Sequence, residues 1–157
     1  MSSIVIAVDG PAAAGKGTLA RELAAFVGLP YLDTGLLYRA VARLMLDAGL
    51  DPAENSGESC AASLEAKDIE RSDLRTPEVD RGASLVAKQP EVRAALIDTQ
   101  RRFASERGAV LDGRDIGTVI FPDAALKFYI THSSDPNRTD GNAYGDCRFE
   151  KKTDSEV

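Results

Sequence analysis

The segment from Gly10 to Thr18 constrains the fold of this chain more than any other stretch. It reads Gly-Pro-Ala-Ala-Ala-Gly-Lys-Gly-Thr and stands between an apolar run, Ile4 to Val8, and a helical pattern. A polyphosphate binds where backbone N–H groups converge before a helix N-terminus and a cation reaches the outer phosphates. The segment therefore predicts a nucleotide-binding loop, and with it phosphoryl transfer. The residues that would supply these parts are Gly10, Gly15, Lys16 and Gly17.

The loop departs from the pattern G-x-x-x-x-G-K-[ST], because Gly17 occupies the hydroxyl position and Thr18 follows it. The alternative to a phosphate-binding loop is a glycine turn that merely joins a strand to a helix. The following helix is predicted to end at Gly28. The apolar residues expected on its buried face are Leu19, Leu23, Phe26 and Val27.

The composition limits the class of protein. The chain has 157 residues, 43% of them hydrophobic, which suits one buried core. Its formal net charge of −6 argues against a general nucleic-acid-binding surface. Cys60 and Cys147 lie outside any metal-ligand spacing, and no apolar run is long enough to span a membrane. We therefore expect a soluble, cytoplasmic monomer that binds neither nucleic acid nor membranes.

Strands and helices alternate along the chain, which indicates an α/β protein with a mainly parallel sheet. After the first strand and helix, strands are predicted at 30–33, 109–112 and 125–131, and helices at 35–48, 60–67, from Thr76 and from Pro90. Residues 133–157 have too few apolar side chains to fold against the sheet. We expect this tail to be loosely ordered and the strand at 125–131 to keep an unpaired edge.

Polar residues at two predicted strand ends are candidates for binding an anionic substrate, since open α/β sheets bind ligands at that edge. Thr34 begins a helix, and Arg39 follows a little over one turn later. The alternative is a capping threonine and a surface arginine. Arg114 and Asp115 lie in an acidic-glycine-basic-acidic turn after a buried strand, whose alternative is a polar loop with an internal salt bridge. By themselves, Ser84 and Arg93 are ordinary helix-surface residues.

Five segments, in chain order, resemble the bacterial cytidylate kinases, which belong to the nucleoside monophosphate kinase group of P-loop kinases. They are the loop at 10–18, Leu-Asp-Thr-Gly-Leu-Leu-Tyr-Arg at 32–39, Leu-Arg-Thr-Pro-Glu-Val at 74–79, Pro-Glu-Val-Arg-Ala-Ala-Leu at 90–96 and Asp-Gly-Arg-Asp-Ile-Gly-Thr-Val-Ile-Phe-Pro-Asp-Ala at 112–124. The resemblance covers residues 1–131. It implies a three-layer P-loop kinase fold with a parallel sheet in the strand order 2-3-1-4, and it accounts for Gly17, since Gly-Lys-Gly-Thr is usual in that group.

By this resemblance the protein would transfer phosphate from ATP to CMP or dCMP, with Mg²⁺ as a second cofactor. Lys16 and Arg114 would act in catalysis, and Thr18 would hold Mg²⁺ directly or through water. Gly10, Gly15, Lys16, Gly17 and Thr18 would bind the ATP phosphates. Thr34, Arg39 and Arg114 would hold the monophosphate, and Ser84, Arg93 and Asp115 would contact the cytosine edge.

The resemblance stops near residue 131. The family continues into an arginine-rich lid, an Arg-Asp-x-x-Asp-type segment, a fifth strand and a closing helix, none of which is recognisable in 133–157. We therefore expect a kinase core at 1–132, with a helical nucleotide-binding part at 51–106, followed by an atypical tail. The alternatives to a working kinase are a nucleotide-binding module without useful turnover and another small-molecule P-loop kinase.

Overall fold

The computed structural model describes residues 3–11 and 14–131, and the backbone of 147–150. Its strands are β1 (Val5–Asp9), β2 (Tyr31–Asp33), β3 (Ala109–Gly113), β4 (Leu126–Ile130) and β5 (Cys147–Glu150). Its α-helices are α1 (Lys16–Val27), α2 (Thr34–Asp47), α3 (Glu58–Ala62), α4 (Ala66–Ile69), α5 (Pro77–Val86) and α6 (Pro90–Ser105). A single π-helical turn at Ile116–Ile120 lies between β3 and β4.

The chain divides into two compact units. The first comprises Met1–Asp33 and Phe103–Val157, and the second is Thr34–Arg102. The first unit therefore contains the described strands, and the second contains α2 to α5 and most of α6. No helix in the described part of the chain is long and apolar enough to cross a membrane.

The sheet of the first unit has the order β2-β3-β1-β4-β5, and β2, β3, β1 and β4 run parallel. This confirms the α/β fold and the predicted order 2-3-1-4. β1 and β3 are buried along their whole length, as expected for inner strands of a parallel sheet. In the register Asp9 stands opposite Gly113, and Asp33 opposite Asp112, so the carboxyl ends of β1, β2 and β3 share one edge.

The end of the sheet beyond β4 differs from expectation. β5 pairs antiparallel with β4, with Phe128 opposite Phe149. The four parallel strands are as expected, but the predictions that β4 keeps an unpaired edge and that the tail cannot join the sheet are wrong for 147–150. Backbone pairing needs only an extended segment within reach, which the apolar content of the tail does not reveal. The rest of the predicted tail, 133–146 and 151–157, lies outside the described residues.

α1 packs on the sheet through small side chains. Ala20 and Ala24 are buried in one cluster with Ile6, Val8, Val110 and Ile130, and Leu19 and Leu23 pack against its margin. Phe26, which we expected on the buried face, is 89% exposed, and Val27 is 41% exposed. At about 100° per residue, Phe26 lies well away from the Ala20–Ala24 line, so the close contact of the two alanines turns it outward.

In the second unit, α2 and α5 approach closely because both carry small residues at their contact. A Cβ added to Gly82 on α5 would lie 2.9 Å from the Cβ of Ala42 on α2. Gly57 has a similar position, where a Cβ would meet the Sδ of Met45 at 2.9 Å. Nearby buried residues complete the core of this unit: Leu37, Val41, Val79, Val86, Val92 and Leu96.

Most predicted helices are found within a residue or two of their expected bounds. α5 starts at Thr76 and Pro77 as predicted, and Thr76 caps it, since its Oγ1 accepts from the N–H of Val79 at 3.3 Å. The single helix predicted at 60–67 is wrong, because α3 ends at Ala62 and α4 begins at Ala66. A reciprocal cap between Glu65 and Asp68 starts α4 as a separate helix.

Gly108, which joins α6 to β3, should be hard to replace. Its φ is +79°, and an added Cβ would lie 2.1 Å from the carbonyl oxygen of Ile4. Gly28 has a similar φ of +70° but open space around it, so it is a matched control. We expect Gly28→Ala to cost about 1 kcal/mol of unfolding free energy from backbone strain alone. Gly108→Ala should cost about 3 kcal/mol, because β1 must also shift. Urea denaturation of both variants measures the difference, and equal losses would contradict the close contact.

Candidate functional site

The predicted phosphate-binding loop leaves β1 at the shared edge of the sheet. Gly10 has φ +152°, and a Cβ there would lie 2.3 Å from the carbonyl oxygen of Ile130, so only glycine fits. Its N–H donates to the carbonyl oxygen of Gly113 at 3.2 Å. Gly15, the residue before α1, has φ +84°. Ala12 and Ala13 lie outside the described residues.

The N-terminus of α1 has the features of an anion-binding site. The helix begins at Lys16, within the predicted loop segment 10–18, and its first turn has no acidic residue and no side-chain cap. The first N–H groups of a helix lack intrahelical partners, and the helix dipole favours negative charge there. Lys16 is half-buried and Thr18 is exposed. The loop, the lysine and the helix start therefore have the order that a polyphosphate requires.

A buried carboxylate stands beside this helix start. Asp112, at the end of β3, is 4% exposed and accepts a hydrogen bond from the hydroxyl of Tyr31. Burial raises the pKa of Asp112, and so does the charge of Asp33, while the Tyr31 bond and Lys16 lower it. A Cβ on Gly17 would be in contact with Asp112 Oδ2 at 3.4 Å.

The turn that follows β3 carries the predicted Arg114 and Asp115. Arg114 is exposed and Asp115 is half-buried, directly before the π-helical turn. The N–H groups of Ile116 and Gly117 donate to the carboxylate of Asp9 at 2.7 and 2.8 Å. The turn is thus hydrogen-bonded to the end of β1, directly before the loop. Single π-turns are rare and are frequently found at functional sites.

The remaining predicted site residues belong to the second unit. Thr34 is buried at the start of α2, and Arg93 is half-buried on α6. Arg39 donates through Nε to Asp80 Oδ1 on α5 at 2.9 Å. Ser84, one turn further along α5, donates to the backbone carbonyl of Asp80 at 3.1 Å. Within this unit, Asp80 therefore joins α2, which carries Arg39, to its own helix α5, which also carries Ser84.

Sequence reasoning gave no site role to Asp9, Tyr31 or Asp80, and it considered Asp112 only as the first acidic residue of the turn that carries Arg114 and Asp115. Asp9 and Asp112 are the last polar residues of two apolar strands, a signal that could have marked them as groups at the sheet edge. The partners of Asp9 and Asp80 lie far along the chain, so their bonds could not be foreseen from local spacing.

The described residues contain no group of three or more His, Cys, Asp or Glu side chains that could hold a metal ion alone. Mg²⁺ differs from such metals, because it keeps several waters and takes one or two protein oxygens together with substrate phosphates. Asp112 is near enough to Lys16 for each charge to act on the other, and Thr18 follows in the same helical turn. A carboxylate and a hydroxyl at a helix start are a donor set that Mg²⁺ would accept.

The strand order, the loop and the polar edge define a class: the α/β proteins with a P-loop kinase fold. The family model described as cytidylate kinase matches residues 6–140 of the chain. The chain belongs to the cytidylate kinase family, which confirms the resemblance drawn from the five sequence segments.

Two relatives show how far the similarity extends. A protein named cytidylate kinase from Acidiphilium cryptum is 67% identical over 133 residues, which are 84% of this chain and 63% of that protein. A protein of the same name from Granulibacter bethesdensis is 65% identical over 133 residues, 84% of this chain and 64% of its own. The chain thus spans a little under two thirds of the length of these relatives.

Removing the Tyr31 hydroxyl should destabilise the first unit in a pH-dependent way. The folded pKa of Asp112 is raised, so its contribution to stability is greatest below the unfolded value and declines as pH rises through the folded one. The hydrogen bond from Tyr31 limits that decline, because it lowers the pKa of Asp112. Tyr31→Phe should therefore cost about 2 kcal/mol of unfolding free energy at pH 7 and less at pH 5.

Chemical denaturation at both pH values measures the effect of Tyr31→Phe. The control is Tyr129→Phe on β4, since Tyr129 is 51% exposed and should tolerate the change. A loss that is equal at pH 5 and pH 7 would mean that the hydroxyl does not act through the ionised carboxylate.

Proposed function

We propose that this chain transfers the γ-phosphoryl group of ATP to CMP or dCMP, giving CDP or dCDP. The observation that carries the proposal is the hydrogen bond from Gly10 to Gly113 in a member of the cytidylate kinase family. Through it, the loop that carries Lys16 and the turn that carries Arg114 leave the sheet side by side. Two cations on adjacent loops suit a reaction between two phosphate groups.

On the donor side, the loop would hold the ATP phosphates. Gly10 and Gly15 let the backbone follow the phosphates, and the N–H groups of Lys16, Gly17 and Thr18 open the helix. Mg²⁺ would be held by Thr18 and, through water, by Asp112. When bound, Mg²⁺ neutralises charge on the phosphate oxygens.

On the acceptor side, we assign the monophosphate to Thr34, Arg39 and Arg114, and the cytosine edge to Ser84, Arg93 and Asp115. Arg39 is oriented by its ion pair with Asp80, and a guanidinium matches the geometry of a phosphate. A carboxylate such as Asp115 can accept from the exocyclic amine of cytosine, whereas uracil presents a carbonyl oxygen at that position.

The reaction needs no general base in this scheme. A phosphate monoester has its second pKa near 6, so at neutral pH its oxygen is largely deprotonated and can attack directly. The work of the protein is then to align the two phosphates and to neutralise developing charge. Lys16 would do this from the loop, and Arg114 from the turn after β3.

We also propose that the protein works as a cytoplasmic monomer on free nucleotides. A net charge of −6 disfavours nucleic-acid and anionic membrane partners. Cys60 is a free thiol whose pKa is raised by burial, which lowers its thiolate fraction at neutral pH.

The direct test is phosphoryl transfer from Mg-ATP to CMP, dCMP, UMP and AMP, beside calorimetric binding of each acceptor to the same protein. We expect turnover with CMP and dCMP and much less with UMP and AMP. Binding of CMP without turnover would favour the alternative of a nucleotide-binding module. A preference for another acceptor would favour a different small-molecule kinase.

Lys16→Ala should remove ATP binding or lower turnover by at least about 100-fold, since it deletes the cation of the loop. The matched control is Arg21→Ala, which removes a cation further along the same helix, where Arg21 stacks over Tyr31 at 5.3 Å. We expect the control to keep ATP affinity within a few-fold. Calorimetry with ATP and a coupled kinase assay measure both variants, and unchanged activity of Lys16→Ala would remove the loop from the mechanism.

Asp115→Asn should reduce the preference for CMP over UMP by about tenfold or more, because an amide can pair with either base edge. Arg114→Ala is the complementary variant, and it should weaken both nucleotides alike through the phosphate. Binding isotherms for CMP and UMP separate the two effects. An equal loss for both nucleotides in Asp115→Asn would exclude a role in base recognition.

A further inference from the structure

Asp9 has a role that neither the loop motif nor the assigned substrate contacts explain. It is the last residue of β1 and is 6% exposed. Each oxygen of its carboxylate accepts one backbone N–H, Oδ1 from Ile116 and Oδ2 from Gly117. A buried carboxylate that uses both oxygens in this way fixes the backbone that donates to it.

These two bonds replace the missing cap of the π-helical turn. Asp115 precedes the turn but makes no side-chain cap bond to it. The first N–H groups of a helical turn have no partner within the turn, so Asp9 supplies the acceptors from another strand. Gly117 permits the contact, since a Cβ there would lie 3.3 Å from Asp9 Oδ2 and 3.1 Å from Lys127 Cδ.

The segment from Gly113 to Gly117 is thereby anchored at both ends to adjacent residues of the chain. Gly113 accepts from Gly10, and the N–H groups of Ile116 and Gly117 donate to Asp9. Arg114 and Asp115 lie between the two anchors. Their backbone position is therefore set by the same two residues from which the loop begins.

We infer that Asp9 is a positioning residue that sets Arg114 and Asp115 relative to the loop, and so governs which nucleotide base is accepted. This inference rests on the proposed function, because it assumes that Asp115 contacts the base. Asp9 acts through the turn, and removing one of its two acceptors should loosen Asp115 more than the loop itself.

Asp9 has a structural effect on the π-helical turn and an electrostatic effect on Lys16, and its charge allows the two to be measured separately. Burial raises the pKa of Asp9, the two N–H bonds lower it, Asp115 raises it and Lys16 lowers it. Asp9 therefore acts electrostatically on Lys16 as well as structurally on the turn. Neutralising it leaves the lysine charge less compensated, which favours a bound polyphosphate. If the substitution merely loosened the first unit, CMP and ATP would both bind more weakly.

Asp9→Asn is the first test, because the amide keeps the size of the side chain but offers one acceptor oxygen instead of two. Calorimetry would measure CMP, UMP and ATP with the wild-type protein and the variant. We expect the CMP-to-UMP preference to shrink about tenfold, CMP to bind at least tenfold more weakly because Arg114 is displaced as well, and ATP to bind no more weakly than before.

Asp68→Asn is the matched control. Asp68 is 8% exposed and also accepts a backbone N–H, from Glu65 at 2.9 Å, but it belongs to α4 in the second unit. The Asp68→Asn variant should be less stable than the wild-type protein but should keep the same CMP-to-UMP preference.

Gly117→Ala is the second variant, needed if Asp9→Asn does not fold. It pushes on the same Asp9 oxygen while keeping the charge, so the base preference should shrink with ATP affinity unchanged. An unchanged base preference in a folded variant would overturn the inference, as would parallel losses of CMP and ATP. Failure of the wild-type protein to bind CMP would instead overturn the proposed function on which the inference rests.

Discussion

The ends of β1, β3 and β4 are held together by backbone contacts that leave no space for side chains. Gly10 touches the carbonyl of Ile130 on one side and donates to Gly113 on the other. Such contacts fix where the loop begins and where the turn after β3 begins, whether or not a ligand is present. The backbone at Gly10 and Gly113 therefore needs little further ordering when a ligand binds.

The charged groups of the two units differ in what they contribute. Arg39 and Asp80 are partly exposed, and ion pairs of this kind add little to stability. Their value is orientation, since the pair holds a guanidinium at a defined place on α2. Asp9 and Asp112 are buried, with raised pKa values, so their charges cost free energy unless cations and N–H donors offset them. The stability of this acidic edge of the sheet therefore depends on Lys16, Tyr31 and the backbone N–H groups of the π-helical turn.

Local pattern was sufficient to predict the loop, the alternation of strands and helices and the α/β class, because periodicity of apolar residues reflects burial directly. The strand order came from the family resemblance. Local pattern gave wrong predictions where tertiary contacts determine the structure. Phe26 faces outward because Ala20 and Ala24 make the closer contact with the sheet. β5 forms through backbone pairing with β4. The role of Asp9 was missed for the same reason, since its partners lie more than a hundred residues away.

The meeting of Gly82 with Ala42 limits how the helical unit can change over time. With the two positions so close, the combined side-chain volume at the crossing of α2 and α5 is nearly fixed. A methyl group gained at 82 would have to be matched by one lost at 42, or the helices would separate. Because Arg39 and Asp80 lie one turn or less from these positions, a separation would also break their ion pair. Substitutions at Gly82 or Ala42 would thus change both the packing of α2 against α5 and the position of the Arg39 guanidinium.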